Sequence, residues 1–151
     1  MITLRSYVPE DFEHLYEIDQ QCYDPEIAYS RRELRNYLRF PGADCLLAAD
    51  GTNIIGFCIT AHQAWWGYIV TMDVLEAYRR RGVGSLLLGE AEQRLAADGV
   101  REIALETAVD NVAGIGFWQR RGYRARGIRK GYYPGGRDAY SMTKQVAARR
   151  E

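Results

Sequence analysis

YRRRGVGSLLLGEAEQRL, residues 78–95, is the stretch that decides how this chain is read. Arg79, Arg80 and Arg81 run into Gly82-Val83-Gly84-Ser85, and a leucine-rich amphipathic segment follows at once. The first turn of a helix leaves about four backbone N–H groups without partners. Those groups carry partial positive charge and form a ready site for phosphate. Gly82 and Gly84 remove side chains that would hold an anion at a distance, and the arginines add charge-assisted hydrogen bonds. Arg-x-x-Gly-x-Gly opening a helix therefore reads as a pyrophosphate cradle. The plainer reading is a helix with a flexible start and a solvated basic turn. A dinucleotide fingerprint fits less well, because Leu87 stands where its third Gly would be. A P-loop would need a longer gap and a Gly-Lys-Ser/Thr ending.

Outward from this stretch, local signals divide the chain into alternating elements. Ile2 to Tyr7 alternates as a strand, and Pro9-Glu10-Asp11 opens a helix to about Cys22. Ser30 to Glu33 matches a capping box, which predicts a second helix to about Arg39. CLLAAD and IIGFCIT, split by Gly51-Thr52-Asn53, read as a hairpin. A strand is expected over Tyr68–Leu75, a helix over Gly82–Ala97 ending at Asp98-Gly99, and a strand over Glu102–Val109. A helix over Asn111–Arg121 and strands over Tyr123–Arg129 and Ala139–Thr143 complete the series. The order βααβββαβαββ predicts an α+β (mixed α/β) fold. The helical crossover into Glu102–Val109 implies one parallel strand pair, the hairpins imply antiparallel ones, and helices are expected on both faces of a twisted mixed sheet.

Bulk properties narrow the function classes. The 151 residues suit a single domain, residues 1–151, with a full core. Lys and Arg number 20 and Asp and Glu 20, a zero net charge that argues against charge-driven binding to DNA or to a membrane surface. No apolar run approaches the roughly 20 residues of a membrane span. The start, MITLRSYV, lacks the pattern of a secretory signal. Cys22, Cys45 and Cys58 are widely spaced, giving neither a disulfide framework nor a metal site. A cytoplasmic location is the resulting expectation.

The Arg-Gly stretch resembles motif A of the GNAT N-acetyltransferases, Gln/Arg-x-x-Gly-x-Gly/Ala, whose loop binds the pyrophosphate of acetyl-coenzyme A. LETAVDNVAGIGFWQRRGY, residues 105–123, resembles the next strand and helix of that family, and the element order matches as well. GYRARGIRKGYYPGGRDAYSM, residues 122–142, is similar to the ending of the ribosomal-protein-alanine N-acetyltransferase branch and its protein N-terminal relatives. The resemblance implies acetyl-CoA as co-substrate, without a metal. It implies an amine acceptor, with a protein N-terminus, such as that of a ribosomal protein, as the leading one. A small-molecule amine and a catalytically silent acyl-CoA-binding module remain as alternatives. Oligomeric state is left open.

Acetyl transfer needs a neutral amine, and an alkylammonium near pKa 10 is mostly protonated at pH 7. A carboxylate can take that proton, directly or through water. Glu106 sits inside the apolar run IALETAV, where a charge is costly unless used or paired. The resemblance points to the same position as the base; a solvent-facing or ion-paired Glu is the alternative. The resemblance also assigns the backbone around Met72, Asp73 and Val74 to the pantetheine arm and the oxyanion, and the loop from Arg79 through Arg80, Arg81, Gly82, Val83 and Gly84 to Ser85 to the pyrophosphate. Asn111 is either a cofactor contact or a helix N-cap. Trp118 stands where many family members have a Tyr that serves as general acid. An indole N–H is no practical proton source, so Trp118 reads either as packing against the pantetheine end or as core. Tyr132 and Tyr133, before Pro134-Gly135-Gly136, are expected walls of the acceptor site unless they merely pack a turn, and Tyr23 is a further wall residue. The basic run from Arg120 to Lys130 suits a cofactor phosphate, an acidic peptide or ribosomal RNA; a solvated face is the simpler reading.

Overall fold

The computed structural model describes residues 1–146. The chain forms β1 (Ile2–Ser6), α1 (Phe12–Cys22), α2 (Arg31–Arg39), β2 (Asp44–Asp50), β3 (Asn53–Gln63), β4 (Trp66–Val74), α3 (Val83–Ala97), β5 (Glu102–Ala108), α4 (Val112–Arg120), β6 (Arg124–Arg129) and β7 (Ala139–Gln145), in the expected order. Short 3-10 turns at Pro9–Asp11 and Glu76–Tyr78 lead into α1 and the arginine loop. The strands form a single seven-stranded sheet in the order β1-β2-β3-β4-β5-β7-β6.

Local chemistry accounts for the helix starts. Ser30 Oγ accepts from the Glu33 N–H at 3.1 Å, and Glu33 Oε1 accepts from the Ser30 N–H at 2.9 Å, closing the capping box of α2. Asp11 precedes α1. Its carboxylate accepts two hydrogen bonds from Arg5, both at 2.8 Å, and one from the Val8 N–H at 2.9 Å.

The sheet is covered on both faces, so its central strands read as continuous apolar runs. Leu46, Ala48, Cys58 and Ile103 pack under α3 with Leu87, Leu88 and Leu95. Leu47, Phe57 and Ile59 turn to the other face, against Phe12, Leu15 and Ile18 of α1 and Leu34 of α2.

The β3–β4 hairpin differs from the sequence expectation. β3 and β4 extend until Gln63 pairs with Trp66, leaving only Ala64 and Trp65 in the turn. That turn carries none of the usual Gly, Asn or Pro signals, and Ala64 takes a positive φ of 53°. The last strand, β7, inserts between β5 and β6.

One irregularity shapes the centre of the sheet. In β4, Ile69 faces Thr60 and Thr71 faces Ile59, so Val70 is an extra residue, a bulge. β4 and β5 run parallel but pair only from Trp66–Tyr68 against Glu102–Ala104. Beyond Tyr68 they separate, while β5 continues in full register with β7 from Glu102 to Ala108. A V-shaped opening results, with the rest of β4 as one lip.

Candidate active site

The chemistry of the β4 lip follows from strand alternation. The Leu75 N–H donates to the Ile55 carbonyl at 2.9 Å, which makes Gly56–Val74 and Cys58–Met72 the non-hydrogen-bonded pairs of the β3–β4 ladder. Met72 and Val74 therefore turn their own N–H and C=O groups toward the opening. Their carbonyls are already engaged. The Tyr23 hydroxyl donates to Met72 O at 2.9 Å, and Arg79 Nε and the Cys22 thiol donate to Val74 O at 2.9 and 3.4 Å. Tyr29 likewise donates to Val70 O at 3.2 Å.

Asp73 corrects the sequence reading. It forms the hydrogen-bonded pair with Phe57, and its carbonyl lies 2.7 Å from where a Cβ on Gly56 would stand. Its backbone thus faces β3, turned from the opening, and its side chain is buried beneath α1 rather than offered to a ligand.

Glu106 stands on the other lip, with a side chain only 7% exposed. The Tyr68 hydroxyl donates to its Oε1, and Tyr132 approaches the same oxygen at 3.4 Å. Ser141 on β7 donates to Oε2 at 3.0 Å, and Arg129 Nε lies 3.6 Å from that oxygen. The carboxylate is both paired and hydrogen-bonded, which is what its burial requires. Burial, and then the Glu106 hydrogen bond, hold the Tyr68 hydroxyl far above its usual titration range. Burial also raises Tyr132. Both hydroxyls therefore keep their protons at neutral pH and act as donors.

These groups line a cavity of about 520 Å³, with Tyr37, Phe40 and Trp66 as apolar walls. Two loops flank it. The turn between β6 and β7 carries Tyr132 and Tyr133, whose rings meet edge-on at 4.9 Å. Arg137 of that turn reaches Asp24 at 3.1 Å and Glu26 at 3.6 Å, in the segment after α1. Tyr23, expected as an open wall, instead clamps that segment to β4.

On the far side of β4 lies the arginine loop. Arg79 is spent on Val74, whereas Arg80 and Arg81 are exposed, the latter over the Tyr78 ring at 5.3 Å. Gly82 caps α3 with φ +82° and no side chain caps the first turn. Val83 is buried in the core, and Ser85 accepts a hydrogen bond from Arg121. Gly84 has a reason that differs from the expected one: a Cβ there would lie 3.0 Å from the Phe117 ring, so it is small to let α4 approach α3.

Asn111 caps α4, its Oδ1 accepting from the Gly114 N–H at 3.0 Å. Trp118 is buried in the larger core, edge-on to Phe117 at 5.0 Å and Tyr123 at 5.3 Å. The basic run is divided. Arg121 lies on the Phe117 ring, Arg129 joins the Glu106 cluster, Lys130 pairs with Asp138, and β6 is exposed throughout.

Sequence reasoning missed Tyr68, Tyr29, Ser141 and Arg137. Sequence alone pointed toward this cluster only through Glu106 and the Tyr132 turn; strand alternation on β5 could have placed Ala104 and Glu106 on one face, but the partners on β4 and β7 have no local signal.

The profile described as the Acetyltransferase (GNAT) family matches residues 12–123. Among curated proteins, an uncharacterized protein of Mycobacterium leprae is 32% identical over 155 aligned positions, covering 96% of this chain and 41% of that protein. The [ribosomal protein bS18]-alanine N-acetyltransferase of Haemophilus influenzae is 33% identical over 136 positions, covering 85% of this chain and 87% of that one. This chain thus spans less than half of the first relative and most of the second. The solved ribosomal-protein-S18-alanine N-acetyltransferase of Escherichia coli superposes with a TM-score of 0.89 at 24% identity, covering 100% of this chain and 97% of that one, a likeness of fold.

Proposed function

The chain belongs to the acetyltransferase (GNAT) family, and on that premise we propose that it is an N-acetyltransferase that moves the acetyl group of acetyl-CoA to the α-amine of a protein N-terminus in the cytoplasm. The observation that carries this reading is Glu106, a buried carboxylate at the base of an aromatic cavity, facing the opening between β4 and β5.

The residues present fit acetyl-CoA. The uncapped first turn of α3 and the exposed Arg80 and Arg81 suit a pyrophosphate. The turned-out N–H groups of Met72 and Val74 suit the amides of a pantetheine arm and a developing oxyanion. Trp118 would back the thiol end through core packing, and Asn111 would act through its cap. When bound, acetyl-CoA supplies the thioester whose C–S bond breaks as the new C–N bond forms.

Glu106 takes the proton that the ammonium must lose before attack. Tyr68, Tyr132 and Ser141 orient the carboxylate, with Arg129 paired to its Oε2. The thiolate leaves without an obligatory acid, since a thiol near pKa 8.5 is a workable leaving group, and it takes up the second proton, which the nitrogen sheds as the amide forms. Tyr132 and Tyr133 wall the acceptor's first residues. The name of the Haemophilus relative makes the N-terminus of ribosomal protein bS18 the first acceptor to try.

The test is incubation with acetyl-CoA and a mixed panel: peptides with free N-termini (the bS18 N-terminus among them), N-blocked peptides with internal lysine, and small polyamines. Mass gain of one acetyl group confined to free N-termini is the expected result. Gain confined to polyamines would replace the acceptor class. A silent panel with acetyl-CoA bound would leave a binding module. Glu106→Gln should bind acetyl-CoA and lose at least about 100-fold in turnover, the scale of a lost general base.

A further inference from the structure

Asp19 on α1 and Asp73 on β4 are buried acids that the proposed chemistry does not use. Their residues are 0% and 1% exposed. Each spends one oxygen on an ordinary donor: Asp19 Oδ2 accepts from the Tyr29 N–H at 2.7 Å, and Asp73 Oδ1 accepts from the Thr71 hydroxyl at 2.6 Å. Among the described residues, the other two oxygens, Asp19 Oδ1 and Asp73 Oδ2, have no hydrogen-bond donor. α1, which carries Asp19, packs on β4, which carries Asp73, and across that contact each carboxyl acts on the other. Two ionised carboxylates cannot hydrogen-bond to one another, and their repulsion in a dry interior is severe. One proton between them removes both problems, since a protonated acid donates to its neighbour.

We propose that Asp19 and Asp73 share a single proton and act as a positioning pair, holding the segment that follows α1 against the open edge of β4. The anatomy supports this role. Asp19 fixes the Tyr29 backbone, and Tyr29 and Tyr23 from the same segment donate to Val70 O and Met72 O. Asp73 lies between Met72 and Val74, whose N–H groups face the opening. The proton therefore joins the segment that flanks the acceptor cavity to the lip assigned to acetyl-CoA, and this consequence rests on the function proposed above.

The groups packed around the pair leave it no easy route to full ionisation. Cys22 on α1, Tyr23 and Tyr29 after it, Glu33 on α2, Cys45 on β2 and Cys58 on β3 are neutral or negative. Burial pushes the Cys22 thiol up to about 11, so it stays a donor to Val74 O. Arg79 is a cation that acts on Asp73 in the opposite sense, and its Nε is committed to Val74 O. Burial first, then the mutual contact, raises Asp73 well above the ordinary carboxylate range; burial raises Asp19. A raised folded-state pKa means that stability is complete below the unfolded value of about 3.9 and is lost as pH climbs through the folded value.

Three measurements test the pair. Carboxyl 13C resonances of aspartate-labelled protein should show one of the two acids protonated near neutral pH. Finding both ionised at about pH 6, well above the unfolded value, overturns the proposal. Melting temperature should fall with rising pH in the wild type, and the slope should flatten in Asp73→Asn, whose amide is a donor at every pH. Parallel slopes overturn it; should Asp73→Asn fail to fold, Asp19→Asn asks the same question from the other side. Finally, acetyl-CoA affinity in the wild type should weaken as pH rises and the shared proton is lost, and the Asn variant should lose that dependence. An equal dependence in both proteins removes the positioning role. The first two readouts need no substrate, so failure of the acetyltransferase reading would leave the shared proton standing.

Discussion

The Tyr68 hydroxyl donates to Glu106 Oε1 across two parallel strands that pair only from Trp66–Tyr68 against Glu102–Ala104. Tyr68 is the last paired residue of β4 before the strands part. Glu106 lies two residues past Ala104, the partner of Tyr68, on the same face of β5. Tyr68→Phe keeps the ring against Trp66 and removes only the donor. Its expected effect is a fall in kcat of about tenfold, the equivalent of one net hydrogen bond to a charged group, with an unchanged circular dichroism spectrum. Single-turnover kinetics at saturating acetyl-CoA checks it; wild-type rates would remove Tyr68 from the site.

Gly82 holds φ +82°, and nothing lies within 4 Å of a Cβ added there. An alanine meets no neighbour, so its cost is purely the left-handed backbone, about 1 kcal/mol. Relaxation of that strain would rotate the first N–H groups of α3. Gly82→Ala is expected to weaken acetyl-CoA binding in calorimetry several-fold while leaving turnover at saturation much less affected.

Gly56 poses the opposite problem. Its Cβ would fall 2.7 Å from the Asp73 carbonyl, a backbone atom in the middle of the sheet. Gly56→Ala should destabilise the protein by about 2 kcal/mol, in the range for overpacking, read as a lower urea midpoint at unchanged m. It should also displace the lip that Met72 and Val74 form.

Asp11 offers a pH test with the sign opposite to that of the buried acid pair. Its hydrogen bonds from Arg5, foremost, hold its carboxyl below the usual range, against the opposing effect of burial; the Val8 N–H adds to the lowering. A lowered folded-state pKa contributes stability that is present above about pH 3.9 and lost as pH falls through the folded value. Arg5 is 45% exposed, so solvent screens part of the pairing. Asp11→Asn is expected to cost about 1 kcal/mol at pH 7, with the gap to wild type narrowing in acid. A gap that is constant with pH in chemical denaturation would show that the charge contributes nothing.

The amino-acid sequence by itself determined the element order, the capping box at Ser30, the arginine loop opening α3 and the candidacy of Glu106. Each is a local matter of periodicity, turn chemistry or a charge inside an apolar run, and is decided within a few residues. It also placed Tyr132 in the turn that reaches Glu106. Only the tertiary structure decided what Glu106 touches. The register between β4 and β5 crosses a helical connection, and the insertion of β7 beside β5 brings Ser141 and Arg129 across; neither has a local signature. The same holds for direction. Met72 and Asp73 are adjacent in sequence, yet the backbone of one faces the opening and that of the other faces β3, because alternation along β4 acquires an absolute sense only when the strand pairs with β3. Long-range pairing, through register and the Val70 bulge, thus turned a legible list of elements into a site.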